Sequence, residues 1–509
     1  MQNETKKQYE NKKTEFFARV PYVVVPGIAF AVAMAFEFAH DSHTAQAEVA
    51  KTIPPKIAMT RKFDRLALAL VGSPATPAQK ASLPADRKGL ETLAEELRRT
   101  PAFQQRLADF WLQILKISAN VEPYSLMTDP TNAHSTYAVE TRGNGTLPMH
   151  EYMSFYFQRG IIHHDKKCQG RPLVTTWCYG DRQPCHSEVG TATPCEKTVV
   201  VTPYYNSDLE FAVPAMLLQE DFCGKSLEKC FPTDIRRDPI HGGTFVKGDH
   251  FETDIVGGFT REPGELIAKV VADGRPWKDT LTGTQSVLNG SQVATLKKWN
   301  KVITAVSPPG TYRKTATDPS LTLPALASND RAYAWVERGP LHAGILSTLA
   351  FQRTNNGWRA KANRAREALL CRKYVAPAGA KQIPSDEANL AKRPYCSSCH
   401  VSIEPMSQFF GRWPKSGTNY AYDASDKVND AGSYDGVSGQ GIVDFARIFA
   451  ATDDFKHCAV ERAFEFISGR SMTLNEDKLL KPQLLTAYAK GGETVWPVML
   501  EIIRSGLFD

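Results

Sequence analysis

The chain has no internal repeat, so solenoid and propeller architectures are excluded. It has no stripe of Lys and Arg interleaved with aromatics, and its net charge is only +6 over 509 residues, so nucleic acid is not an expected partner. Outside residues 20–36 it has no apolar run long enough to span a bilayer, which excludes a polytopic membrane protein. What remains is the material of a large globular core: 42% hydrophobic and 23% charged residues, on a chain long enough for two or more folded parts.

The first 47 residues have the layout of an export segment. Lys6, Lys7, Lys12, Lys13 and Arg19 precede the apolar run 20–36, and Ala45-Gln46-Ala47 offers a small-x-small cleavage site. The run is long for a cleaved signal and short for a span, so residues 1–47 read as a signal peptide or as a retained N-terminal membrane anchor. In either case the basic flank places the rest of the chain on the periplasmic, extracytoplasmic side. The ten cysteines, an even number, suit an oxidising compartment.

The expected fold is mainly α. Residues 48–120 form a helical module: Phe63, Leu66, Ala67 and Leu70 recur at helical spacing, as do Leu90, Leu93, Ala94 and Leu97, and Pro101 opens a third helix through Phe103, Leu107, Phe110 and Trp111. That aromatic stripe reads as core packing. Residues 121–255 form a disulfide-rich, irregular or β insert holding Cys168, Cys178, Cys185, Cys195, Cys223 and Cys230, with β-branched runs such as 198–202 predicting a few strands. Cys223 with Cys230 is a local disulfide candidate. The other four allow three pairings, and a zinc site from Cys168, Cys178, Cys185 and His186 is the alternative. Helical character returns over 256–390, most strongly over 340–374, and a Pro-flanked linker covers 377–384. Residues 391–509 form a last helical domain containing a Gly/Asp-rich loop at 417–441.

That domain opens on Cys396-Ser397-Ser398-Cys399-His400, the C-x-x-C-H spacing of a c-type haem attachment site. Two thiols at this separation can each add to a haem vinyl group, and the next residue supplies the proximal imidazole to iron. A redox dithiol and a zinc half-site are the competing readings. Met406 follows His400 too closely to reach the opposite iron face, and no methionine lies between it and Met472, which ranks first as distal ligand, ahead of His457 and His342. An open distal position is the further alternative.

The residues around the pentapeptide carry a resemblance. Cys396 to Met406 continues to Gly411-Arg412-Trp413, then Asp423-Ala424-Ser425, Tyr434-Asp435-Gly436, Asp454 to Cys458, and Phe466 to Arg470. Upstream stand Arg261-Glu262-Pro263-Gly264-Glu265, Ala343 to Phe351, and Arg366 to Cys371. This set resembles the large exported cytochrome c-like proteins of planctomycetes and myxobacteria, with Glu404 in place of the usual Asp and Thr348 in place of a histidine. The resemblance implies a C-terminal cytochrome c-like domain with one covalent haem c on Cys396, Cys399 and His400, and a disulfide between Cys371 and Cys458. Arg412 and Trp413 are then either contacts to the haem propionates or a structural turn.

The expected function is electron transfer by an exported monohaem c-type cytochrome, with a redox protein or a membrane redox complex as partner. The alternatives are a peroxidase- or oxygenase-like haem enzyme with an open distal site, and a haem-bearing scaffold subunit.

Overall fold

A computed structural model describes residues 55–117, 257–297, 321–374, 389–413 and 428–506, less 356, 394 and 395, together with short stretches between them. Two compact units are distinguished, Met1–Arg61 and Lys62–Asp509; everything below concerns the second. The segment 1–47 lies outside the described residues, as do most of the cysteine-rich insert and Cys168, Cys178, Cys195, Cys223 and Cys230. Within that insert the described strands form short antiparallel pairs, Val139–Arg142 with Gly145–Pro148, Thr176–Trp177 with Pro184–Cys185, and Thr198–Val201 with Phe211–Pro214.

The described chain is mainly helical. Helix α1 (Pro55–Val71) buries Phe63, Leu66, Ala67 and Leu70. Asp86 caps α2 (Arg87–Arg98) by accepting from the Gly89 N–H at 2.9 Å. Thr100 caps α3 (Pro101–Ile114), where Pro101 occupies a first-turn position with no N–H to satisfy. Helix α3 packs along α4 (Gly257–Ala272). Downstream come α5 (Trp358–Leu369), α6 (Ser397–Gln408), α7 (Gly441–Ala450), α8 (Asp453–Ser468), α9 (Lys481–Lys490) and α10 (Trp496–Ser505). The aromatic stripe of α3 is core: Phe103 meets Phe466 and Trp496 edge-on at 6.1 and 5.7 Å, and Trp111 lies 5.3 Å from Trp277, which stacks on Phe455. Aromatic rings from both ends of the chain therefore share one core.

Two strand pairs frame this core. Strand β1 (Gln285–Leu288) runs antiparallel to β2 (Ala334–Glu337). Strands β3 (Ala431–Tyr434) and β4 (Val437–Gln440) form a hairpin closed by Asp435-Gly436, both with positive φ (49° and 78°), the signature of a type I′ turn. The Gly/Asp-rich stretch expected as loop is thus partly a hairpin. The strong helical reading of 340–374 is also divided: a 3-10 turn at Gly344–Ser347, a short helix at Leu349–Thr354, then α5. Gly357, at φ 94°, separates the last two, because a helix cannot continue through that backbone conformation.

Lys361, on the inner face of α5, is 1% exposed. Burial pushes its ammonium down to about 8, from an ordinary 10.5. Between these values the unfolded chain holds a proton that the folded chain does not, so folding stability rises with pH across this window and the gain is lost as pH falls through 8. The full span corresponds to about 3 kcal/mol. Urea midpoints measured from pH 7.5 to 10.5 should climb for the wild type relative to Lys361→Met, which lacks the titrating group. Parallel curves for the two proteins would contradict this.

Candidate haem-attachment site

The pentapeptide sits at the start of α6. Cys396 is the residue before the helix, and its carbonyl accepts from the Cys399 and His400 N–H groups at 3.2 and 2.9 Å. The helix start therefore gathers both thiols and the imidazole within five residues. Cys396 and Cys399 are both free thiols and both half-buried. A helix wheel turns 100° per residue, so Ile403, Met406 and Ser407 face the core while Val401 and Ser402 stay exposed.

His400 and Glu404 stand one turn apart on α6, with Nδ1 2.7 Å from Oε1. An ionised carboxylate can only accept, so Nδ1 carries the hydrogen, and in the neutral ring Nε2 is the nitrogen with the lone pair a metal requires. The same Glu404 oxygen accepts from Nε of Arg359 on α5 at 2.7 Å. Burial on its own raises the Glu404 carboxyl, but the hydrogen bonds from Arg359 and His400 outweigh it, and the net shift is downward. The donor set thus fits haem c: two free thiols at the attachment spacing, and an imidazole whose tautomer is set for iron.

The residues after α6 hold the hairpin against it. Arg412 Nε donates to Asp430 Oδ2 at 2.6 Å, and that carboxylate is 1% exposed. Trp413 is buried, and its carbonyl accepts from the Trp358 indole. A Cβ on Gly411 would stand 2.5 Å from the Asn429 carbonyl oxygen, and one on Gly432 would stand 2.7 Å from that of Pro405. The Gly-Arg-Trp run therefore packs α6, α5 and β3 together, and the Arg412 guanidinium is engaged by Asp430.

On the other side, Cys371 is bonded to Cys458, with Cα atoms 5.2 Å apart. This is the pair the resemblance implies. Beside it Arg372 makes a two-pronged ion pair to Asp454, and the Tyr374 hydroxyl bonds Ser402 at 2.7 Å. These contacts fasten the end of α5 to the start of α8 and to α6. Together with Val401, Pro405 and Tyr434 they border a cleft of 490 Å³.

Met472 lies in the short connection between α8 and the helix Leu474–Leu479. Helix α8 has 16 residues, about 24 Å. Asp454 near its start borders the α6 cleft, whereas Gly469, Arg470 and Ser471 beyond its end border a separate cleft against α3. Met472 follows that far end. His457 is exposed, one turn from Asp454. His342 is buried beside Gly283 and Arg338, and burial first, then the Arg338 charge, pushes it down to about 3. Two site residues were not assigned a role from sequence, although Glu404 stood out as a replacement for the usual Asp. Glu404 carried a signal, its i, i+4 spacing from His400; Arg359 carried none, since its partner lies 45 positions on.

Comparison with protein-family models, with curated proteins and with solved structures returns no match.

Proposed function

We propose that the chain is an exported c-type cytochrome that transfers electrons, with residues 391–509 as its haem-bearing domain. The reading rests on one observation: two free thiols and an imidazole gathered at the start of α6, with Nδ1 tied to Glu404 and Nε2 left as metal donor. Cys396 and Cys399 would hold the group through thioether bonds, each formed by adding S–H across a vinyl double bond, the sulfur to one carbon and the proton to the other, with no net oxidation or reduction. His400 supplies the proximal ligand. Bound haem contributes a one-electron iron couple. The Cys371–Cys458 disulfide supports an oxidising compartment, where c-type attachment also belongs. The electron partner is proposed as a redox protein or a membrane redox complex, with residues 1–47 as signal or anchor.

Carbon monoxide added to the reduced protein separates carrier from enzyme. A carrier with both axial positions filled keeps its visible spectrum unchanged. Ready binding of carbon monoxide would overturn the carrier reading in favour of a haem enzyme with an open distal site.

A further inference from the structure

We infer that Arg359 and Glu404 are positioning residues that set the reduction potential of the iron held by His400, and that they act with opposite signs. This inference deepens the cytochrome reading and rests on it. Its observation is a single oxygen shared by two donors: Glu404 Oε1 is 2.7 Å from His400 Nδ1 and 2.7 Å from Arg359 Nε.

Both effects act through the imidazole. A carboxylate pulling on Nδ1–H shifts electron density toward Nε2 and makes the ring a stronger donor. A stronger donor favours the ferric over the ferrous state, so Glu404 lowers the potential. It also fixes the ring's rotation, because ring and carboxylate are carried one turn apart on the same helix. Arg359 competes for the same oxygen. Each increment of charge it draws from Oε1 weakens the pull on Nδ1–H, so Arg359 raises the potential. Arg359 is 54% exposed, whereas Glu404 and His400 are 24% and 23% exposed. Solvent screening therefore makes its influence the smaller of the two. Arg359 sits on α5, whose end is bonded through Cys371 to α8, so the device is anchored outside the motif helix.

The test uses the full-length, haem-loaded protein and compares Glu404→Gln, Arg359→Gln and Glu404→Asp with the wild type. Two quantities are read: the midpoint potential, and the paramagnetically shifted proton resonances of the His400 ring in the oxidised state. Glu404→Gln should raise the potential and Arg359→Gln should lower it by less, with the ring resonances moving in opposite directions. Glu404→Asp, which keeps the carboxylate, should return both toward wild type. Potentials that move the same way in the two Gln variants would overturn the inference. So would shifted potentials with unmoved ring resonances, which would signify only a nearby charge. Haem-loaded variants with wild-type potentials sink this inference and leave the cytochrome reading standing. A wild-type protein without covalent haem sinks both.

Discussion

Replacing Cys371 and Cys458 together by alanine is expected to destabilise the protein by about 2–5 kcal/mol, read as a lower denaturant midpoint with a steeper slope, since the unfolded chain loses its crosslink and exposes more surface. The bridge joins positions 87 residues apart. Closing so long a loop removes much conformational freedom from the unfolded chain, and the chain-entropy estimate lies near the top of that range. The enclosed segment contains α6, the hairpin and α7. It therefore includes Cys396, Cys399, His400 and the Arg412–Asp430 pair, and the loss concerns the frame of the site. Arg372 and Asp454 alone cannot replace the bond. Arg372 is 58% exposed, and an exposed ion pair contributes roughly 0–1 kcal/mol. A midpoint unchanged by the double substitution would show that the two helices are not covalently joined in the mature protein.

Arg338→Met is the second large effect, at about 3–5 kcal/mol. Arg338 and Glu262 are 1% and 0% exposed, with Nη1 2.7 Å from Oε1. Ser286 of β1 donates to the same carboxylate oxygen at 2.7 Å. Removing the guanidinium leaves a buried carboxylate with one hydroxyl donor in place of a full counter-charge, and the cost of that desolvation is no longer offset. The double variant Arg338→Met/Glu262→Met removes both charges and should regain most of the loss, because well-packed apolar side chains of similar volume avoid the desolvation cost. Urea midpoints of the two single variants and the double variant form a cycle that measures the pair. A Glu262-independent cost of Arg338→Met would mean that Arg338 acts mainly through other neighbours.

Much of the helical frame was legible because its signals are local. Pro101 stands where a ring nitrogen without hydrogen suits a helix start. The spacing of Leu90, Leu93, Ala94 and Leu97 marked the face that α2 buries. The division of 340–374 was missed because an apolar period continues through it, while Gly357 interrupts the backbone. The β3–β4 hairpin was missed although Asp435-Gly436 is a turn signal, because its strands are short, largely polar and two-sided. At the site, Cys396, Cys399 and His400 were legible as contiguous chemistry. Arg359 and Asp430 were not, because each becomes relevant only when a distant helix or strand delivers it, Arg359 to Glu404 and Asp430 to Arg412.

Covalent haem on Cys396 and Cys399 is tested on protein exported by a host that attaches c-type haem. Intact mass and the pyridine haemochrome spectrum are measured after denaturation and acid-acetone extraction, for the wild type and for Cys396→Ala/Cys399→Ala. The expected result is a wild-type mass increased by one haem and a spectrum typical of two thioether links, both absent from the variant. A wild-type chain at its apo mass, with all colour extracted into the solvent, would contradict it.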